Sequence, residues 1–194
     1  MPREEVGRFF ERAARIALAR DPLTNLPPRR EVELSAVFVY RQSRREIDWS
    51  RVTPRFVEPS APRSTLNRAL SQPGLVVAEY PLFAASGEDT NRWGEMRADA
   101  MYMSNDLRHK VMFEAKVDSY FTYGEWPPDA QLSRQLEYLQ KLSGESKGLV
   151  LLSPQFNADW YWQRLSRSWI ALGNRDGMFA CVVMWEEVFG LEAS

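Results

Sequence analysis

The stretch Arg97–Lys116, RADAMYMSNDLRHKVMFEAK, limits this chain more than any other. Two runs of alternating side chains, Arg97–Met103 and Val111–Val117, flank the polar segment from Ser104 to Lys110. Ser, Asn and Asp cluster there, and these residues tolerate turn geometry, so the spacing predicts a β-hairpin. Strand side chains alternate between faces. Ala98, Ala100 and Tyr102 then share an apolar face with Val111, Phe113, Ala115 and Val117, expected to pack on helices. Arg97, Asp99, Met101, Met112, Glu114 and Lys116 fall on the other face, expected to be polar and open. A fold about Asp106-Leu107 sets Asp99 opposite Glu114, with Cβ atoms about 5 Å apart. Carboxylates that close repel unless a cation lies between them, and hard oxygens suit Mg²⁺ or Mn²⁺. The plainer alternative is an exposed cross-strand salt-bridge ladder.

Asp99 followed by Glu114-Ala115-Lys116, on strand, turn, strand and then helix, resembles the PD-(D/E)XK nuclease superfamily. Ala98 stands where that superfamily usually has Pro. The resemblance spans roughly residues 31–191. It implies an α/β, restriction-endonuclease-like fold with a central mixed sheet of about four to five strands and helices on both faces. It implies a metal-dependent nuclease acting on phosphodiester bonds, first of all in DNA, in defence, restriction or repair. Asp99, Glu114 and the carbonyl of Ala115 would hold Mg²⁺, with Mn²⁺ able to substitute. Lys116 would act on the attacking water and the developing charge. The superfamily's N-terminal helix presents a carboxylate in a Glu-x-x-Leu-Ser/Thr pattern. Glu31 matches it, Glu33 is the fallback and Glu11 a distant third; the alternative for Glu31 is that it only complements the helix dipole. The helix after ExK often carries a Gln-x-x-x-Tyr-like face. Gln131, Gln135 and Tyr138 share a face here, with Gln135 placed for a phosphate or a metal-bound water, and Gln131 and Tyr138 for nucleic acid. A solvated polar face is the alternative. The competing function is a nuclease fold that has lost catalysis and serves nucleic-acid binding or protein assembly.

Composition excludes other chemistries. One Cys and one His in 194 residues rule out an internal disulfide, a Cys-based zinc site and His-rich metal sites, and argue against a Ser-His-Asp hydrolase. Cys181 sits in an apolar run and reads as a buried thiol. No apolar run approaches membrane-spanning length, and the N-terminus lacks a clean signal region, so a cytoplasmic protein is expected. The net charge of −1 announces no polyanion partner, but its distribution is uneven. Residues 1–70 hold 14 basic against 9 acidic residues, and the remainder 11 against 17. Arg41, Arg44 and Arg45 are the candidate phosphate contacts of the basic part, with a solvated face the alternative. No separate DNA-reading domain is visible, which suggests a homodimer or a partner protein that supplies specificity.

One domain spanning 1–194 is expected, with a helical portion over about 1–70 packed on the core. Periodicity predicts helices over Arg3–Arg20, Pro28–Tyr40, Pro62–Leu70, Pro127–Leu142, Ala158–Ser168 and Trp185–Leu191. It predicts strands over Leu75–Leu82, Gly148–Leu152 and Met178–Met184. Gly148–Leu152 is apolar without alternation, as in a strand buried on both faces. Ser43–Ala61 reads as irregular, anchored by Trp49 and Phe56. Glu79 reads as an ordinary strand charge.

Overall fold

In the computed structural model, which describes Arg8 and residues 31–58, 63–82, 97–117 and 130–190, the hairpin forms in the register its alternation demands. Strands β3 (Arg97–Ser104) and β4 (His109–Ala115) pair antiparallel, from Met103 opposite Lys110 to Ala100 opposite Phe113. The turn is tighter than the sequence suggests, because Ser104, His109 and Lys110 belong to the strands. Ser104 Oγ donates to Asp106 Oδ1 and accepts from the His109 N–H, while the Arg108 N–H bonds Asp106 Oδ1. These side-chain bonds take over backbone partners that a longer loop would leave to solvent.

The rest of the sheet grows outwards from this pair. The described elements are α1 (Glu31–Ser43), β1 (Arg55–Phe56), α2 (Arg63–Ser71), β2 (Gly74–Pro81), the hairpin, α3 (Ala130–Lys141), β5 (Ser146–Ser153), α4 (Ala158–Ala171), β6 (Met178–Met184) and α5 (Trp185–Phe189). The sheet order is β1-β6-β5-β4-β3-β2. β4, β5 and β6 are parallel neighbours; β2, β3 and β1 run antiparallel to theirs. Parallel pairing requires crossovers, and α3 and α4 supply them. The α/β class and the mixed sheet therefore stand, but the sheet has six strands, not four to five. The extra strand is β1, two residues inside the segment read as irregular; such a short strand leaves no alternation to detect. The predicted helix Arg3–Arg20 lies outside the described residues apart from Arg8.

Both faces of the sheet are covered. One core joins α1, α2 and α5 to the Val111, Phe113 and Ala115 face, with Phe38 and Trp49 against Phe113 and Trp185 against Phe38. The other joins Leu132, Leu136 and Leu139 of α3 and Tyr161, Leu165 and Trp169 of α4 to Met101 and Met112. The second hairpin face is thus not open, as the alternation alone suggested, but buried beneath the crossover helices. β5 is buried along its whole length, as its apolar run predicts. Gly148 is required there, since a Cβ would lie 2.1 Å from the Phe179 ring. Among the described residues, no helix is long and apolar enough to cross a membrane.

Candidate active site

The carboxyl ends of β4 and β5 gather the charged residues of the hairpin. Glu114 is 2% exposed and Lys116 7%. Lys116 Nζ lies 2.7 Å from Glu114 Oε1. The same oxygen accepts a 2.6 Å hydrogen bond from Gln131 Nε2, and Oε2 accepts one of 2.6 Å from Gln135 Nε2. The i, i+4 spacing puts both amides on one face of α3, and the leucine stripe beside them presses that face against the sheet. A buried carboxylate is tolerable only when paired and hydrogen-bonded, and here both oxygens are served.

Asp99 reaches the same place from β3. Its Oδ2 accepts the Ala115 N–H at 2.6 Å, one step beyond the last paired residues of the hairpin ladder, Ala100 and Phe113. A side chain there replaces a strand carbonyl and ties Asp99 to the peptide that follows Glu114. The backbone beyond is equally fixed: the Lys116 N–H donates to Leu152 O at 2.8 Å, Trp185 Nε1 donates to Lys116 O, and Asn157 Nδ2 donates to Val117 O.

The sequence-predicted residues divide. Asp99, Glu114, Ala115, Lys116, Gln131 and Gln135 come together. Gln131 and Gln135 turn their amides onto Glu114 rather than outwards. The expected exposed salt-bridge ladder is replaced by a buried cluster. Tyr138 is not an open nucleic-acid contact: it is buried, its ring meets Tyr80 edge-on, and the two hydroxyls are 3.4 Å apart. Burial and Tyr80 push its hydroxyl pKa well up. Glu31 opens α1, but its side chain lies outside the described ones, as does Glu11; Glu33 is exposed. Arg41 is buried with its guanidinium over the Phe189 ring, which takes it out of a phosphate-facing patch. Arg44 and Arg45 are exposed.

Glu79, expected to be an ordinary strand charge, has an unusual backbone. Glu79 falls between the pairs Ala78–Ala100 and Tyr80–Ala98, opposite Asp99, and its φ is +49°. A left-handed non-glycine inside a strand is uncommon and costs about 1–2 kcal/mol. Composition and alternation carry no trace of it.

The donor chemistry admits a hard cation. Mg²⁺ keeps several waters and is commonly held by one or two carboxylates, so Asp99, Glu114 and the Ala115 carbonyl form an adequate set. Among the described residues no group of three or more His, Cys, Asp or Glu could hold a metal ion, so a third carboxylate is not supplied there. Gln135 Oε1 adds a buried acceptor with no partner among the described residues, suited to an O–H of a bound water. No family model, no curated protein and no solved structure matches this chain.

Proposed function

We propose that the chain is a metal-dependent nuclease that hydrolyses phosphodiester bonds, with DNA as the first substrate to test. The observation that carries this reading is the convergence of Asp99, Glu114 and Lys116 at the carboxyl end of β4, held by Gln131 and Gln135. Asp99, Glu114 and the Ala115 carbonyl would hold Mg²⁺ or Mn²⁺; when bound, the ion lowers the pKa of a water and polarises the phosphate. The residues' own parts follow from their positions. Gln131 and Gln135 fix the Glu114 carboxylate so that it need not reorganise. Lys116 keeps a positive charge beside the reacting centre, where it offsets charge that develops on phosphate oxygens. Gln135 Oε1 orients a water proton.

A second reading has its own support. Both oxygens of Glu114 already have protein partners, which is how a purely structural buried ion pair is satisfied. A module for nucleic-acid binding or assembly would need no more. Mn²⁺ calorimetry beside a cleavage assay on plasmid, linear and single-stranded DNA separates the two. In the nuclease, Asp99→Ala loses both metal binding and cleavage. Lys116→Gln keeps metal binding but loses cleavage by a factor of about 100 or more. Wild type that binds no divalent ion and cleaves nothing sinks the enzyme reading.

A further inference from the structure

At the other end of the sheet, α1 and α2 converge on a cleft of about 420 Å³. It lies beside the hairpin turn: Tyr102 Oη donates to Gln72 O and the Asn105 N–H to Pro73 O, just beyond α2. From His109 to Glu114 the strand covers about 17 Å, so this cleft is separate from the carboxylate cluster. Gln42, Arg45, Ile47, Trp49, Asn67 and Leu70 line it.

Three polar groups there offer donors or an acceptor. Gln42 is only 4% exposed, and its Oε1 accepts the Trp49 indole N–H at 2.7 Å. An indole can only donate, so the amide cannot be turned round. Its NH₂ group is thereby fixed as the donor end of that amide. Asn67 Oδ1 is a buried acceptor with no donor among the described residues. Leaving such an atom unpaired costs about 1–3 kcal/mol, which a ligand carrying an N–H recovers. Arg45, exposed at the rim, gives one N–H to Ser71 O, at the last residue of α2, and a guanidinium carries five such donors. The carboxylates in the same lining are already engaged, Glu46 with Arg44 and Asp48 with Arg51 and Ser50. Ile47, Trp49 and Leu70 add apolar wall.

A ligand for this cleft must accept from a fixed amide, donate to a carboxamide oxygen, present apolar surface and offer an anion to a guanidinium. A water meets the first two demands but is far smaller than the cleft, since its share of liquid volume is about 30 Å³. We propose that the cleft between the carboxyl ends of α1 and α2 is a nucleobase site, with Arg45 taking the attached phosphate. The base comes either from a free nucleoside monophosphate or from a single strand. The site is independent of the nuclease reading, and EDTA leaves it intact.

Calorimetry in EDTA with AMP, GMP, CMP, UMP, the parent nucleosides and ten-residue oligo-dA and oligo-dT tests it. At least one base is expected to bind. Asn67→Leu weakens it tenfold or more, whereas Arg45→Ala weakens nucleotides but not nucleosides. Asp99→Ala changes neither. Binding of oligonucleotides without mononucleotides assigns the strand, and the reverse assigns the free nucleotide. To separate loss of the site from any disturbance of α2 by Asn67→Leu, Asn67→Asp is measured beside it: it removes the amide's donor and changes which base binds best. No binding of any probe at millimolar concentration, or affinity and base preference unchanged in both Asn67 variants that melt like wild type, overturns the proposal.

Discussion

Lys116 shows what burial does to a charge whose partner sits two residues away. As part of an open polar face it would be removable at little cost. At 7% exposure against a 2% exposed Glu114, its loss leaves a carboxylate held by neutral amides alone. Breaking one partner of a buried pair costs about 3–5 kcal/mol, whereas replacing both with neutral groups of similar shape is often nearly neutral. Urea denaturation of Lys116→Met, Glu114→Gln and the double variant should therefore show two destabilised single variants and a double variant that loses less than their sum. Additive losses would mean that the pair is not coupled. Leu107 makes the opposite case. It is 58% exposed with φ at +59°, so it contributes little packing and holds a left-handed backbone that its side chain disfavours. Leu107→Asn is expected to raise stability by about 0.5–1 kcal/mol, read as an upward shift in Tm.

At the scale of elements, the alternation in Arg97–Val117 was enough to set the hairpin register, because a one-residue slip would have moved Phe113 and Val111 to the face that carries Glu114 and Lys116, and those charges into the aromatic core. The same reasoning located β5 and β6 and put Gln131 with Gln135. It could not show that α3 and α4 cover Met101 and Met112, because that depends on where two crossovers land. Nor could it foresee the cleft at Gln42 and Asn67, which exists only once α1 and α2 converge. Lys110, expected in the turn, belongs to β4 and faces the end of α3 together with Lys147. Lys110 Nζ donates to Leu107 O and Ser143 O, and Lys147 Nζ to Gln140 O and Leu142 O, so two cations serve the carbonyls at that helix end. Burial, and then Lys147, lower the Lys110 pKa below its ordinary 10.5. The folded state thus gives up this proton more readily than the unfolded chain. Between the lowered value and 10.5 the unfolded state binds more protons, so this contribution to stability rises with pH across that window. Lys110→Met loses the carbonyl bonds at every pH, but the difference between wild type and variant should grow in favour of wild type as pH rises towards 10.5. Cys181, whose burial raises its pKa, opposes the trend from about pH 9 but is common to both proteins. A difference independent of pH would show that Lys110 titrates alike in both states.

For the whole molecule, the basic excess of residues 1–70 resolves into arginines with different fates. Arg41 lies buried with its guanidinium 5.5 Å above the Phe189 ring, where it acts through packing and cation–π attraction. Arg55 pairs with Asp159 and lies over Trp162. Arg44 pairs with Glu46, an exposed contact worth little in water, and Arg45 bonds Ser71 O. Of the three candidate phosphate contacts, Arg44 and Arg45 retain exposed guanidinium surface that can displace counterions from a polyanion, and Arg41 does not. Each phosphate contact contributes about 0.9 to the slope of log K against log salt on duplex DNA, or about 0.7 on a single strand. Replacing Arg44 and Arg45 with Gln should weaken nucleic-acid binding and flatten that slope by up to roughly 2 on duplex, with the melting temperature nearly unchanged. Arg41→Gln should do the reverse, lowering the melting temperature and leaving the slope alone. Anisotropy titrations of labelled DNA across a KCl series, in EDTA to prevent cleavage, read both quantities on the same samples. If Arg41→Gln flattens the slope and the double variant does not, the charged surface that meets nucleic acid lies on the other side of α1.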